Sequence, residues 1–351
     1  MKQYKLLLVL FLLGLLIGAI FQISRVKQLT QPIASRLPDL IFPRQEENTT
    51  LTLLFTGDVM LARSVNTRIL KYQDPSWPFR KIADFLSQAD ITVVNLESPL
   101  VHGCKPTDQG MIFCADPQNV QGLVFAGVDY ASLANNHINN YGEKGLNDTV
   151  SILTQNGITP LGLDKPEYTT IKDKKLAFLS FSDLPYISDT VMVNQISQAT
   201  SSADLVIVTF HWGNEYQSQP SGRQVYLGHL AVDSGADLVV GHHPHWVQTE
   251  EIYRGKPIFY SLGNLVFDQM WSENTRLGEI LKVTYTNGIL IKKELFPVKI
   301  FDYGQPDYYT LNQGDTRLDL INFRDFGSPS CPMRIGWRID FSPATDPSPP
   351  H

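Results

Sequence analysis

Five of the eight histidines in the chain lie at or just after short apolar runs that are typical of buried strands. These histidines are His137, His211, His242, His243 and His245. Two carboxylates, Asp58 and Glu97, follow apolar runs in the same way. A single histidine at a strand end is usually structural, but imidazole and carboxylate side chains gathered at several strand ends form a ligand set that suits zinc, manganese or iron better than calcium. The pattern therefore predicts a metal site.

The segment His243-Pro244-His245 places two imidazoles at positions i and i+2. On an extended or turn segment, such a pair can direct both rings into one site or into two adjacent sites. His242 is then expected to turn away from the site, into a structural hydrogen bond. Asn136, which precedes His137, adds an amide oxygen to the candidate ligands.

The elements that must position these side chains alternate between strands and helices. Strands are predicted at residues 52–56, 91–94, 129–134, 205–210 and 238–241. Helices are predicted at residues 79–88, 143–155 and 221–234, the last opening on Ser221 and Gln224 at the spacing of a capping box. This alternation indicates a mostly parallel α/β sheet, in which ligands bind at the carboxyl ends of the strands. The polar residues should then share one rim.

The folded domain is predicted to cover residues 50–300. Its last elements are strands at 278–285 and 288–297, joined through Asn287-Gly288, which is a strong hairpin-turn signal. No periodic element is evident beyond Tyr303, so residues 301–351 are predicted to form a C-terminal extension. Its tail from Ser342 is rich in proline and is expected to be disordered.

The N-terminal segment, residues 1–24, has the composition of a membrane span. Leu6–Phe21 is apolar apart from two glycines, and a helix needs roughly 17–20 such residues to cross a bilayer. No convincing small-x-small cleavage site follows, so an uncleaved signal anchor is favoured over a cleaved signal peptide or a buried core helix. Residues 25–49, with several prolines and charges, are predicted to be a linker.

The positive charges on the two sides of the apolar segment favour opposite orientations of the segment in the membrane. Lys2 and Lys5 favour a cytoplasmic N-terminus, whereas Arg25 and Lys27 on the other side oppose it. We expect a single-pass protein of the cell membrane whose domain is extracytoplasmic.

The cysteines and the net charge limit the kinds of metal site and partner that we expect. Cys104 and Cys114 lie close together in one loop and are a possible disulfide if the domain is extracytoplasmic, with two free thiols as the alternative. The chain has no CxxC pair, so cysteines are not expected to bind the metal. The net charge is −6 and there is no basic stripe, which argues against a nucleic-acid partner.

Six short motifs contain most of the candidate residues. They are Gly57-Asp58-Val59-Met60-Leu61, Asn95-Leu96-Glu97, Ala134-Asn135-Asn136-His137, His211-Trp212-Gly213-x-Glu215-Tyr216, Gly241-His242-His243-Pro244-His245 and Tyr260-Ser261-Leu262-Gly263-Asn264-x-Val266-Phe267-Asp268. With these motifs in this order over residues 51–269, the chain resembles the CapA family, which is associated with the synthesis of poly-γ-glutamate capsule. That family's domain resembles the calcineurin-like metallophosphoesterases. The resemblance implies an α/β fold, a metallophosphoesterase-like αββα sandwich, here preceded by the predicted transmembrane helix.

The resemblance also implies roles for individual residues around one or two divalent ions of manganese, zinc or iron. The implied metal ligands are Asp58, Glu97, Asn136, His211, His243 and His245. His137 would protonate a leaving group. Glu215 is a candidate acid, base or cation-binding group. Residues that would contact substrate or support the ligands are Asn135, Trp212, Tyr216, Asn264 and Asp268. Trp212 and Tyr216 could equally pack their own loop. Arg63 could meet an anionic substrate, but a surface position is favoured.

Two departures from the phosphoesterase pattern leave the number of ions open. The first motif of that pattern is Asp-x-His, but Met60 stands at the histidine position, and a thioether is a poor ligand for these metals. Glu97 stands where the pattern has a bridging aspartate. The site could therefore hold two ions or one, or it could be degenerate.

Two functions from different classes follow. The first is a membrane-anchored protein of poly-γ-glutamate or related anionic polymer synthesis that carries a metal-dependent hydrolase or amide-transfer site. The second is a non-catalytic scaffold that holds the polymer or the polymer synthase at the membrane. The expected partners are the anionic polymer, the membrane and synthase subunits.

Overall fold

The computed structural model describes residues 49–309 of the 351-residue chain. The predicted signal anchor, nearly all of the predicted linker and the proline-rich tail lie outside the described residues. Within the described residues, no helix is both long enough and apolar enough to cross a membrane.

The described chain contains fourteen strands and seven α-helices. The strands are β1 Thr50–Val59, β2 Ile91–Leu96, β3 Tyr130–Ser132, β4 Thr159–Leu161, β5 Glu167–Ile171, β6 Lys174–Ser182, β7 Leu205–His211, β8 Leu238–His242, β9 Glu250–Tyr253, β10 Lys256–Phe259, β11 Asn264–Val266, β12 Leu277–Thr286, β13 Ile289–Phe301 and β14 Gln305–Tyr308. The helices are α1 Arg63–Tyr72, α2 Ala83–Leu86, α3 Val120–Phe125, α4 Gly142–Gln155, α5 Asp189–Thr200, α6 Gly222–Asp233 and α7 Glu273–Arg276. Two 3₁₀ turns lie at Trp77–Phe79 and Pro117–Asn119.

The strands form two mixed sheets, where the sequence indicated one mostly parallel sheet. In the first sheet the order is β14-β13-β12-β1-β2-β3-β4, with β11 beside β1, and in the second it is β5-β6-β7-β8-β10-β9. The strands that deliver the polar residues are parallel within each sheet, and antiparallel strands flank them. The strand pattern alone did not reveal the second sheet, because apolar runs show that a strand is buried but not which strand it pairs with. The two sheets agree with the sandwich that the family resemblance implied.

Three apolar clusters define four layers. Leu53 and Phe55 of β1 pack between the two sheets, against residues such as Ile207 of β7. On the outer side of the first sheet, Leu54 belongs to a cluster with residues of α1 and α4. A third cluster packs α5 and α6 on the outer side of the second sheet. The domain is therefore an αββα sandwich.

Several elements lie where the sequence predicts them. Helix α4 matches the predicted 143–155, and α6 begins after Ser221 with both hydrogen bonds of the predicted capping box. Strands β12 and β13 form the predicted hairpin, and Asn287 and Gly288 at its turn both have positive φ. The predicted helix at 79–88 is only a 3₁₀ turn followed by the short helix α2.

Other elements were missed or misplaced by the sequence reasoning. Helices α1 and α5 and strand β6 were not predicted. Strand β14 pairs with β13 through residues 305–308, so the sheet extends beyond the predicted domain boundary at residue 300. Because β14 is a short edge strand, it has too few residues to show a period of its own.

Candidate metal centre

The carboxyl ends of five strands from the two sheets converge on one buried cluster of polar side chains. Asp58 and Glu97 lie at the ends of β1 and β2 in the first sheet, and His211 lies at the end of β7 in the second. The loop after β3 adds His137, and the segment after β8 adds His243 and His245. The common rim that the sequence predicts therefore forms, but from two sheets.

Glu97 lies at the centre of the cluster and is completely buried. Neither of its carboxylate oxygens has a hydrogen-bond partner among the described residues. Three imidazole nitrogens surround its Oε1: Nε2 of His137 at 3.8 Å, Nε2 of His211 at 3.9 Å and Nε2 of His245 at 3.8 Å. Burial raises the pKa of Glu97 well above its usual value. A buried carboxylate without partners is costly, and a cation bound at this position would remove that cost.

The donor atoms form three overlapping groups that could each hold a metal ion. Within each group, one donor atom from every residue lies within 4.8 Å of the others. The groups are Glu97 with His211 and His243, Glu215 with His243 and His245, and Asp58 with Glu97 and His245. This set of nitrogen and oxygen donors fits zinc, manganese or iron.

Asp58 is held by contacts from both sheets. It accepts hydrogen bonds from the Asn95 amide at 2.8 Å and from the backbone N–H of His243 at 3.2 Å. Its oxygens lie 3.4 Å from Nδ1 of His242 and 3.2 Å from Nδ1 of His245. Burial acts to raise the pKa of Asp58, but these two histidines outweigh it and hold the pKa well below its usual value. His242 thus faces Asp58 and does not turn away from the site.

The histidines divide into neutral and proton-holding members. Burial lowers the pKa of His243 to about 4 and holds the pKa of His211 well below its usual value, so both rings are neutral at pH 7 and can bind a metal. For His245, burial acts to lower the pKa, but the carboxylates of Glu97 and Asp58 outweigh it and raise the pKa to about 9. Without a metal, the proton on His245 therefore offsets part of the negative charge of Glu97 and Asp58. A bound divalent ion would offset the same charge.

Asn136 is the amide member of the cluster. Its Oδ1 lies 2.9 Å from Nε2 of His211, so the two predicted ligands contact each other directly. The neighbouring Asn135 has a different role, because its side chain points into the fold. Its amide donates to the Leu96 carbonyl at 2.8 Å, and its Oδ1 accepts the backbone N–H groups of His137 and Ile138. Asn135 shapes the turn that presents Asn136 and His137.

Glu215 and Tyr216 lie at the mouth of the site. Both line a cleft of about 200 Å³ that also contacts His137 and His245. Tyr216 has a positive φ of 59° and receives a hydrogen bond on its hydroxyl from the Gln269 amide at 3.1 Å. Burial raises the pKa of Tyr216, so the hydroxyl remains protonated at neutral pH.

Trp212 does not take part in the site, although the sequence reasoning included it. Its side chain is fully buried in the cluster on the outer side of the second sheet. The indole N–H donates to the Tyr260 carbonyl at 2.9 Å, and the ring stacks on Phe210. The side chain lies on the opposite face because successive residues near the end of a strand alternate between faces, and His211 occupies the inward position.

Asn264 and Asp268 support the cluster from the segment around β11. Asn264 Oδ1 lies 2.9 Å from Nδ1 of His245, which orients that ring. Asp268 forms a salt bridge with Arg63 and accepts the backbone N–H of Ser64 at 3.1 Å. Arg63, expected at the surface, instead lines the cleft with only 13% of its side chain exposed.

The sequence reasoning missed Asn95 and Phe113 as neighbours of the site, and it favoured a surface position for Arg63 over contact with a substrate. Asn95 contacts Asp58 and lies 3.3 Å from Nδ1 of His211. Its place two residues before Glu97 on β2 was a usable signal, because alternate residues of a strand share a face. Phe113 stacks on His137, and no pattern in the sequence indicates that contact.

Met60 lies outside the donor cluster. It is fully buried among the apolar residues on the outer side of the first sheet, and its sulfur accepts the backbone N–H of Ala62 at 3.1 Å. Met60 therefore contributes apolar packing on the outer side of the first sheet. Elsewhere in the domain, Cys104 and Cys114 are joined by a disulfide.

Comparison with known sequences gives consistent matches. The family described as bacterial capsule synthesis protein PGA_cap matches residues 52–269. The capsule biosynthesis protein CapA of Bacillus anthracis is 33% identical over 65% of this chain and 62% of its own length. The PGA biosynthesis protein CapA of Bacillus subtilis (strain 168) is 30% identical over 72% of each chain. A probable polyglutamine synthesis accessory protein of Mycobacterium tuberculosis is 27% identical over 70% of this chain and 76% of its own length.

Solved structures are less similar. A hypothetical protein from Thermus thermophilus covers 71% of this chain and 99% of its own, with 14% identity and a TM-score of 0.48. A putative 5′-nucleotidase from Staphylococcus aureus covers 77% of this chain and 57% of its own, with 13% identity and a TM-score of 0.43. These likenesses are too loose to indicate a function. The match to the family over most of the folded domain, and the relative that is 30% identical across 72% of both chains, show that this chain belongs to the PGA_cap family of bacterial capsule synthesis proteins, the CapA family.

Proposed function

We propose that this protein acts in the biosynthesis of poly-γ-glutamate or a related anionic envelope polymer, through a metal-dependent site of the phosphoesterase type. The observation that carries the proposal is Glu97, a fully buried carboxylate without hydrogen-bond partners among the described residues and with three imidazole nitrogens around it. Such an arrangement is stable in the presence of a cation. The relatives named for CapA or for polyglutamine synthesis supply the substrate class.

The residues that would hold one or two ions of zinc, manganese or iron are Asp58, Glu97, Asn136, His211, His243 and His245. When bound, the metal supplies Lewis-acid activation of a phosphoryl or acyl group, which suits a hydrolase or an amide-transfer enzyme.

The protein's own residues complete the chemistry. His137 lines the cleft, and its Nε2 can donate a proton to a leaving group when the ring is in the imidazolium form. Glu215, at the mouth of the same cleft, can accept a proton or contact a cation. Asn264 orients His245 through the contact between its Oδ1 and Nδ1 of the ring.

Membrane attachment is part of the proposal. The apolar segment of residues 1–24 would anchor the chain in the cell membrane by a single span, with the domain outside the cytoplasm. The disulfide between Cys104 and Cys114 supports an extracytoplasmic domain, because disulfides persist mainly in oxidising compartments. Partition of the full-length chain into the membrane fraction, together with protease sensitivity of the domain from the outer side, tests this. Recovery in the soluble fraction would contradict it.

A second function, a non-catalytic scaffold for the polymer synthase, is favoured by one observation. Met60 replaces the histidine of the phosphoesterase first motif and is buried in apolar packing, so one ligand of that pattern is missing. The scaffold hypothesis requires the anchor but not His137.

The experiment that separates the two functions measures metal content, phosphoester and γ-glutamyl hydrolysis, and polymer formation for the full-length chain. The variants His243→Ala and His137→Ala are compared with His229→Ala, whose ring pairs with Glu251 outside the site. An enzyme loses metal in His243→Ala and loses activity in both site variants, while His229→Ala is unchanged. Full polymer formation in His137→Ala, with or without bound metal, would establish the scaffold.

A further inference from the structure

The loop that the disulfide closes lies against the ring of His137. Phe113, next to Cys114, is buried, and its ring stacks on the His137 imidazole with centroids 3.8 Å apart and an interplanar angle of 18°. The Arg63 guanidinium lies 4.6 Å from the Phe113 ring centroid, and Arg63 is in turn held by Asp268. The His137 ring is therefore packed by the loop as well as by its own turn.

The backbone of the same loop also sets the hydrogen bonding of His137. The backbone N–H of Phe113 donates to the side chain of Asn140 at 2.7 Å. The acceptor must be the amide oxygen, because a backbone N–H can only donate. That same oxygen lies 3.0 Å from Nδ1 of His137. Since the oxygen can only accept, the proton of the neutral ring is placed on Nδ1, and Nε2 is left facing Oε1 of Glu97 at 3.8 Å.

We propose that Phe113 is a positioning residue for His137, and that the loop closed by Cys104 and Cys114 fixes both the orientation and the tautomer of that ring. The inference rests on the proposed function in one respect only, which is that this function gives His137 a catalytic role. The contacts themselves are independent of metal and of substrate. Phe113 acts through His137 and has no reacting atom of its own.

A purely structural role for Phe113 makes a different prediction. Phe113 also lies near Phe267, at 6.4 Å between ring centroids, and belongs to the apolar cluster on the outer side of the first sheet. If apolar packing were its whole role, leucine would preserve most of it and leave the His137 ring as it is. A positioning role requires a flat ring against the imidazole, so tyrosine would preserve it and leucine would not.

The disulfide gives a second, independent way to disturb the loop. Cys114 is the immediate neighbour of Phe113, and its partner Cys104 lies ten residues away in sequence. Without the bond, the segment between them gains conformational freedom, and the Phe113 N–H no longer has a fixed position relative to Asn140. The double variant Cys104→Ser, Cys114→Ser keeps Phe113 and removes only its tether.

The test is the tautomer of His137 in the full-length chain, read by long-range ¹H–¹⁵N NMR of ¹⁵N-histidine-labelled protein at pH 8 in EDTA. The His137 signals are assigned by their loss in His137→Gln. We expect a single Nδ1–H tautomer in the wild type and in Phe113→Tyr. We expect a mixture of tautomers in Phe113→Leu, because without the stacked ring the imidazole can turn away from Asn140, and in the double cysteine variant. Circular dichroism establishes that each variant is folded. A single Nδ1–H tautomer in both disturbed variants, or a mixture in the wild type, would overturn the proposal.

Turnover measurements distinguish failure of this proposal from failure of the proposed function. If the protein is an enzyme, kcat falls about 10–100-fold in Phe113→Leu, as is typical when a supporting group is lost, with KM and metal content unchanged and with recovery in Phe113→Tyr. If the wild type shows no turnover, the proposed catalytic function fails, and the tautomer of His137 still decides whether Phe113 positions the ring.

Discussion

At the scale of single residues, Glu97 carries an electrostatic cost that no described neighbour relieves by a hydrogen bond. The carboxylate is held in place by the register of β2, whose residues are all buried, and the strand cannot move outward without breaking the sheet. Replacing Glu97 with a neutral residue should therefore weaken metal binding but stabilise the metal-free protein.

We expect Glu97→Gln to weaken metal binding by more than tenfold and to stabilise the metal-free protein at pH 7 by about 1–2 kcal/mol, because the amide is not charged. The pKa of Glu97 is raised in the folded state above its ordinary value of 4.5. The folded state then binds a proton that the unfolded state releases, so the wild type loses stability as pH rises above that value. Below about pH 4 the carboxyl is protonated in both states and the difference between variant and wild type disappears. Urea unfolding in EDTA at pH 4 and pH 7 measures the free energy of unfolding of Glu97→Gln and of the wild type. The same difference between the two proteins at both pH values would contradict the prediction.

The proton near His245 gives metal binding a pH dependence. The pKa of His245 is raised to about 9 by Glu97 and Asp58, so the metal-free site holds a proton that must leave when a cation enters. We expect zinc affinity to rise with pH between 7 and 9, and protons to be released on binding at pH 7.5. Calorimetry in two buffers with different ionisation enthalpies counts the released protons. An affinity that is constant from pH 7 to pH 9 would contradict this account.

At the scale of elements, the close approach of β1 and β11 depends on a residue without a side chain. A Cβ atom at Gly57 would lie 2.4 Å from the carbonyl oxygen of Gly263. The neighbouring Asp58 N–H donates to that same carbonyl at 2.9 Å. This junction brings Asp58 and Asn264, and through Asn264 the His245 ring, to one place.

We expect Gly57→Ala to destabilise the protein by about 2–3 kcal/mol, since backbone atoms and not a flexible side chain would have to move. Gly222→Ala is the matched control, because a Cβ there meets nothing within 4 Å. Thermal unfolding of both variants measures the difference. Equal melting temperatures for the two variants would show that β1 and β11 can separate without cost.

At the scale of the whole molecule, the candidate site joins the two sheets. Asp58 and Glu97 come from the first sheet and His211, His243 and His245 from the second or from the segment that follows it. A bound ion would therefore connect the two halves of the sandwich, and each sheet would contribute to its affinity.

We expect metal removal to lower the melting temperature by about 5–10 °C at metal concentrations near 100 times Kd, because an ion that binds only the folded state adds about 2.7 kcal/mol under those conditions. Calorimetric scans with zinc and with EDTA measure the shift. His243→Ala should melt at the same temperature in both solutions, whereas His229→Ala should retain the wild-type difference. No shift in the wild type would show that the site holds no metal.

Sequence alone determined which side chains have the chemistry of a metal site and that they share a rim, because strand ends, turn residues and ligand types are local features. Asp58, Glu97, Asn136, His211, His243 and His245 lie at such positions, and the structure brings them together. Their roles as metal ligands are implied by the family resemblance. Asn264 was predicted to support the ligands, and in the structure its Oδ1 lies 2.9 Å from Nδ1 of His245.

Only the tertiary structure decided which strands pair, which face Trp212 occupies and what surrounds His137. The division into two sheets depends on hydrogen bonds between strands that are far apart in sequence. The apolar sequence of a buried strand does not indicate which strand it pairs with. Arg63 and Phe113 reach the cleft through contacts with residues more than twenty positions away, Asp268 and His137. Contacts of that kind arise from packing of the whole domain, so local periodicity and composition contain no signal for them.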